Sequence, residues 1–247
     1  MLVLATLGAP ERRRLLSKSK RDAPAEPPPT PVATGRATVI DVGAPFDDPA
    51  AARSWLTRAG EPELEAGLAV LNRGLHAFRL VTADPYLYPV GRRGALVARV
   101  GFGAGEEVAD GLWTEARELS ADPRRHPRAK VLQPQARLAA VLGGRERALA
   151  CEELALRARL DLEHDRDREA ALQVLVALDA ALAELQADRT AEVLGERLSE
   201  LRSQRERVAA AAQTALAGPL SEDERETVAF VLGRIEAALR ARAVASA

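Results

Sequence analysis

The chain has 247 residues, enough for one large domain or two small ones with a hydrophobic core. Hydrophobic residues make up 47%, charged residues 29% and aromatic residues only 3%, which excludes a wholly disordered chain and favours a core of Leu, Val and Ala. The formal net charge of −1 excludes a strong overall attraction to nucleic acid or to acidic lipid.

The lone cysteine, Cys151, excludes an intramolecular disulfide and a cysteine-rich metal site. No apolar run reaches the roughly 18 residues that a membrane-spanning helix needs. In the apolar opening, residues 1–8, the positive charges follow the apolar run, which is the reverse of a secretory signal peptide. We therefore expect a cytoplasmic protein with no membrane span; the opening also fits a translation start downstream of Met1.

Residues 1–35 are predicted to form a flexible, disordered arm that is basic at first and then rich in proline. The prolines within residues 24–31 fix φ and lack amide donors, which favours an extended, solvated chain. Six basic residues precede the prolines. They fit a solvated arm, or alternatively a contact with nucleic acid or another polyanion. The six are Arg12, Arg13, Arg14, Lys18, Lys20 and Arg21.

Residues 36–121 are predicted to form a small α+β module. The β-branched run at 37–42 lies between glycines and predicts a strand. Asp48 directly before Pro49 is typical of a helix N-terminus, and a short helix is expected to run from there to Gly60.

A second helix is predicted to begin at Pro62 and to end before Asp84, because Asp84 precedes a proline and such residues avoid the helical region. Its apolar residues recur at steps of three and four, which places them on one face. They are Leu64, Leu68, Leu71, Leu75 and Phe78.

Two extended segments are predicted after this helix, at residues 86–90 and 95–102. The glycine-bounded turn at 91–94 indicates a hairpin with Arg92 and Arg93 at its tip. Together with the earlier strand, the hairpin is expected to form a small antiparallel sheet that carries the helices.

Residues 105–119 fit two structures. We prefer a helix that begins near Gly105 and ends at Leu119. The alternative is a hairpin, because the pair Asp110 and Gly111 is typical of a two-residue turn between strands.

Residues 122–134 are predicted to link the module to the region that follows. The segment is rich in proline and arginine, which favours an exposed connection. Its cations fit a solvated linker, or alternatively a second contact with a polyanion. They are Arg124, Arg125, Arg128 and Lys130.

Residues 135–247 are predicted to form an antiparallel helical bundle. A short helix near 135–142 is expected before four longer ones. The breaks between the helices are short, which favours antiparallel neighbours. The long helices are expected at about 145–164, 168–187, 190–216 and 222–242.

Two apolar seams run along these helices. The second seam has the seven-residue period of a coiled coil, and Arg205 falls on it, where burial would require a carboxylate partner. We expect this seam to be used within the chain, with weak self-association as the alternative. The first seam holds Leu172, Leu175, Leu178, Leu182 and Leu185, and the second Leu194, Leu198, Leu201 and Val208.

The group most typical of a ligand site consists of Tyr86, Tyr88, Arg92 and Arg93. Aromatic hydroxyls and guanidinium groups near a sheet edge bind anions. The alternative is that the tyrosines pack the sheet edge against the second helix. No motif for nucleotide binding or hydrolysis matches, so we expect no catalytic residues, no cofactor and no metal.

The sequence thus predicts a mostly α protein: a disordered N-terminal arm, a small α+β module and a C-terminal antiparallel helical bundle. The expected function is that of a non-enzymatic helical scaffold or protein-interaction module with a protein partner. One alternative is nucleic-acid association through the basic arm and linker. The other is binding of a small anionic ligand or nucleotide by the α+β module.

Overall fold

The computed structural model describes residues 1–7, 34–43, 45–119 and 134–245, apart from the side chains of residues 134 and 136. The chain divides into two compact units, Met1–Asp122 and Pro123–Ala247. Helices dominate the described residues, and the strands form two small antiparallel sheets. The predicted mostly α fold with a C-terminal helical bundle is therefore confirmed.

The first unit begins with a strand, β1 (Leu2–Leu7), that pairs antiparallel with β2 (Thr34–Val39). The backbone of Met1 extends the ladder by exchanging hydrogen bonds with Ile40 at 2.7 and 2.9 Å. The prediction that residues 1–35 form one flexible arm is wrong at its start, because the apolar opening finds a partner strand. Residues 8–33 lie outside the described part of the chain.

Two helices follow as predicted, α1 (Pro49–Arg58) and α2 (Glu61–Thr82). The Asp48 carboxylate caps α1 by accepting a hydrogen bond from the Ala51 amide at 2.7 Å. α2 ends at Ala83, whose φ of 52° is left-handed and breaks the helix before the Asp84-Pro85 pair.

The second sheet pairs β3 (Arg99–Phe102) with β4 (Glu115–Glu118), antiparallel. The predicted hairpin over 86–102 is wrong: residues 86–90 form no strand, and Arg92–Gly94 is a short 3-10 turn. Asn72 explains the difference, because its side chain takes up the backbone hydrogen bonds of Val90 that a strand partner would need.

The preferred helix over 105–119 is also wrong. One 3-10 turn, Glu106–Asp110, is bracketed by Gly105 and Gly111, both at a φ of 75°, which an α-helix does not admit. The hairpin alternative is also wrong: Asp110 ends the 3-10 turn, and β4 pairs with β3, which precedes residue 105, across a connection of residues 103–114.

The second unit is the helical bundle, and the predicted succession of one short and four long helices is confirmed. The helix predicted at 190–216 begins later, at Gly195, because residues 188–194 form turns. In these turns Asp188 accepts hydrogen bonds from Thr190. The helices are α3 (Pro134–Leu142), α4 (Ala150–Leu162), α5 (Asp167–Gln186), α6 (Gly195–Ala217) and α7 (Glu222–Ala245).

α5 is the central helix, since it packs against α4, α6 and α7. The core combines large side chains with alanines that let the helices approach closely. The predicted second seam is buried inside the bundle, and Arg205 leaves it to form a two-pronged pair with Asp179 at 2.7 and 3.0 Å. The largest fully buried residues include Val174, Leu178, Leu185, Leu194, Leu201, Val208, Leu232 and Ile235.

Candidate interaction surfaces

The four residues predicted to bind an anion have different environments. Tyr86 and Tyr88 are 82% and 65% exposed, so the alternative in which they pack against the second helix is wrong. The Arg92 guanidinium donates to the carbonyl of Leu119 at 2.8 Å and lies 3.7 Å from a Glu61 carboxylate oxygen. The contacts of Arg92 thus lie within its own unit. Anion binding by the four residues stays a prediction.

The ten basic residues predicted to contact a polyanion lie outside the described residues. Six of them belong to the arm at 12–21 and four to the linker at 124–130. Nucleic-acid association through these residues therefore stays a prediction.

The exposed tyrosines lie on a segment that runs back along α2. The Asn72 side chain fixes its far end, because Oδ1 accepts from the Val90 amide at 2.7 Å and Nδ2 donates to the Val90 carbonyl at 3.1 Å. Along the segment Tyr86 and Tyr88 are exposed, whereas Leu87 between them is half-buried. Both tyrosine rings are therefore accessible to solvent.

Large apolar side chains are concentrated in this part of the first unit. Elsewhere in the described chain such exposed residues are spread over the helices and strands, as Leu156 on α4 and Val176 on α5 are, which is ordinary for a protein surface. A group of exposed apolar side chains this close together in the sequence favours binding of another molecule by this part of the first unit. The residues exposed by more than half, here called the 78–97 surface, are Phe78, Leu80, Val81, Tyr86, Tyr88, Leu96 and Val97.

The core of the first unit is small in comparison. Its buried apolar residues, among those described, include none larger than valine. A unit with so little buried apolar volume gains stability when a partner removes further aromatic side chains from water. The buried residues are Ala52, Ala59, Ala98, Val100 and Val108.

The 78–97 surface lies in a positively charged stretch. Residues 73–97 contain four arginines and one carboxylate, and that carboxylate, Asp84, accepts a hydrogen bond from the backbone of Tyr86 at 2.9 Å. The charge favours a partner with acidic groups around an apolar centre. The arginines are Arg73, Arg79, Arg92 and Arg93.

The bundle contains a buried group of charges around Arg242, here called the Arg242 cluster. The Arg242 guanidinium, with only 9% of its side chain exposed, pairs with Asp188 at 2.8 Å and lies 3.7 Å from oxygens of both Glu146 and Glu152. Arg137 of α3 binds the same two glutamate oxygens at 2.8 and 2.6 Å. The cluster thus ties α3, α4 and α7 to the end of α5.

No motif in the sequence indicates this cluster, because its five members are spread from residue 137 to residue 242. The spacing of residues on α7 does indicate that Arg242 is buried. Its buried face runs through Val231, Ile235 and Ala238 at steps of four and three, and the next step of four is Arg242. An arginine in register with a buried apolar seam requires carboxylates from other helices.

The Arg242 cluster also lowers the pKa of Asp188. Burial alone would raise the pKa of Asp188, but the hydrogen bonds from Arg242 and Thr190 outweigh it and hold the pKa at about 2. Nearby, Glu184 accepts hydrogen bonds from the amides of Ala150 and Cys151, and so caps the start of α4 from α5.

Cys151 lies fully buried beneath this cap. Burial, together with the adjacent Glu184 carboxylate, raises the pKa of its thiol to about 12. A thiol with such a pKa stays protonated and is a poor nucleophile at neutral pH. The interpretation of Cys151 as a packing residue agrees with its fully buried position in the bundle core.

A second polar group lies where α4 ends and α5 begins. Asp161 is buried and accepts hydrogen bonds from Arg166 at 2.7 Å and from Gln173 at 3.0 Å, while His164 bonds to the Leu160 carbonyl. These bonds fasten the turn between the helices. Across the described residues, no group of three or more His, Cys, Asp or Glu side chains is placed to hold a metal ion.

Comparison of the chain with protein family models, with curated proteins and with solved structures finds no match. Within the described residues, no helix has both the length and the apolar character to cross a membrane.

Proposed function

We propose that this chain is a non-enzymatic protein-interaction module, in which the 78–97 surface binds an acidic partner protein. The observation that carries the proposal is the concentration of seven large apolar and aromatic side chains, each more than half exposed, on one stretch of the first unit. Tyrosine and phenylalanine supply much of the binding energy at interfaces, because each buries about 150–250 Å² and orders few torsions.

The charges around the surface supply selectivity. Four arginines lie in the same stretch of sequence; Arg92 is bonded within its own unit, and arginines beside an apolar interface steer an acidic partner and reject a basic one. Binding is therefore expected to weaken as salt rises.

We propose that the bundle serves as a stable scaffold. The polar groups buried in it hold its own helices: the Arg242 cluster joins α3, α4 and α7, and Asp161 fastens the turn between α4 and α5. We also propose a cytoplasmic location, which suits a chain whose single thiol is buried and reduced.

The proposal is tested by affinity isolation from the native cells with quantitative mass spectrometry. The tagged full chain is compared with Tyr86→Ser/Tyr88→Ser and with a matched control, Val176→Ser, which changes an exposed valine of the bundle. We expect one or more acidic proteins to be retained by the wild type and the control and lost from the double variant. Equal recovery by all three chains would contradict the proposal.

A further inference from the structure

A groove lies on the bundle between the start of α6 and the end of α7. It is shallow and open to solvent, with a volume of about 660 Å³, and its lining consists of Val193 and Arg197 on one side, and on the other of Ala237, Arg240, Ala241, Val244 and Ala245. The α7 residues recur at steps of three and four and so share one face over about 10 Å of helix. Ala237 and Ala241 are half-buried and form a narrow floor, while Val193 and Val244 are 73% and 54% exposed at its edges.

The arginines of this groove differ from the other arginines on the same helices. α6 and α7 carry eight arginines, and six of them form hydrogen bonds to other groups of the bundle. The two that form none within the described part of the chain are Arg197 and Arg240, and both line the groove.

Arg240 has a carboxylate near it that is already committed. Its guanidinium lies 3.9 Å from Glu236, but both oxygens of Glu236 accept hydrogen bonds from Arg159, at 2.8 and 3.0 Å. No carboxylate lines the groove. The groove therefore combines an apolar floor with two guanidinium groups that have donors to spare.

We propose that the groove binds a short amphipathic helix of a partner protein, with apolar side chains on the alanine floor and carboxylates facing Arg197 and Arg240. A helix fits because the floor presents small residues at helical spacing, and small residues let a second helix approach closely. An acidic helix fits because the groove supplies only positive charge. The inference rests on the proposed function in that the chain binds proteins, but it uses a different unit and different residues.

The test uses fluorescent synthetic peptides and the full-length chain, with binding followed by anisotropy at low and moderate salt. The first probe is a helical peptide with a Leu and Ala stripe flanked by glutamates. The second has the same composition with the stripe scattered, the third has lysines in place of the glutamates, and the fourth is a single-stranded oligonucleotide. We expect the first probe to bind and the other three to bind at least about tenfold more weakly.

Charge reversal then identifies the groove. Arg197→Glu/Arg240→Glu is expected to weaken the acidic peptide by about tenfold or more and to strengthen the lysine peptide. The control Arg147→Glu reverses one charge at an exposed position outside the groove and is expected to change the affinity by less than about twofold, whereas each groove arginine reversed alone is expected to weaken binding by more. Val193→Ser/Val244→Ser keeps the charges, removes exposed apolar groups and is expected to weaken binding of a chain that remains folded by circular dichroism.

Three results would overturn the inference: no binding of the acidic helix at about millimolar concentration, equal binding of the scattered peptide or the oligonucleotide, or equal loss in the Arg147→Glu control. The Tyr86→Ser/Tyr88→Ser chain is expected to bind the acidic helix as the wild type does. The groove and the 78–97 surface can therefore fail independently.

Discussion

Replacing Arg242 with alanine is expected to destabilise the bundle far more than replacing Arg137. Arg242 is 9% exposed at its side chain, and its removal leaves the Asp188 carboxylate, which is 17% exposed, without its cation. Removing one partner of a buried ion pair costs about 3–5 kcal/mol. Arg137 is 35% exposed, and when it is removed Arg242 still lies 3.7 Å from Glu146 and Glu152, so we expect a loss of about 1 kcal/mol.

The pH dependence gives this prediction a second readout. The pKa of Asp188 is lowered from its ordinary 3.8 to about 2, so the carboxylate stabilises the folded chain above pH 4 and loses that contribution as pH falls toward 2. The difference corresponds to about 2 kcal/mol. Arg242 is a main cause of this pKa shift. The difference in unfolding free energy between the wild type and Arg242→Ala should therefore become smaller as the pH falls from 4 toward 2. Glu184 acts in the same direction: burial raises its pKa, but hydrogen bonds from the Cys151 and Ala150 amides and the charge of Arg242 lower it overall.

The assay is urea unfolding followed by far-ultraviolet circular dichroism, between neutral pH and about pH 2. Trp55 and Trp113 both lie in the first unit, so an unchanged fluorescence transition confines the effect to the bundle. Equal losses of unfolding free energy in Arg242→Ala and Arg137→Ala would refute the reasoning. So would a difference in unfolding free energy between the wild type and Arg242→Ala that does not change with pH.

Further predictions concern packing, backbone and thiol chemistry. Leu178→Ala should cost about 2–5 kcal/mol in unfolding free energy, whereas Val176→Ala, on the exposed side of the same helix, should cost less than about 0.5. Gly101→Ala should destabilise the β3–β4 pair, because its Cβ would lie 2.6 Å from the Glu115 carbonyl oxygen. Gly67 has open space around it in α2, so Gly67→Ala should raise the free energy of unfolding by about 0.5–1 kcal/mol, measured by thermal unfolding. Cys151 should resist a disulfide reagent at about pH 8 in the native chain and react in urea, and rapid native labelling would contradict the burial.

The parts of the fold that could be predicted from the sequence depend on residues close together in the chain. Asp48 before Pro49 located the start of α1, and the leucine steps located the helices of the bundle, because caps and seams are local patterns. The seam of α6 was also correctly placed inside the bundle. Arg205 forms an ion pair with Asp179 on α5, and no spacing in the sequence could indicate that partner.

The wrong predictions arose where distant residues decide the structure. Asn72 takes the backbone hydrogen bonds of Val90, so an extended segment that looked like a strand has no strand partner. The opening strand Leu2–Leu7 pairs with Thr34–Val39 across a long intervening stretch, and its apolar pattern alone did not reveal that partner. Tyr86 is 82% exposed, which its aromatic character did not indicate.

The most direct test of the interaction proposal is site-specific photo-crosslinking in the native cells. A photoreactive phenylalanine analogue replaces Tyr88 on the 78–97 surface, or Val176 on α5 as the control, in otherwise unchanged full-length chains. The proposal predicts a discrete covalent adduct with an acidic protein from position 88 and none from position 176. The absence of an adduct at position 88, or the same adduct from both positions, would contradict it.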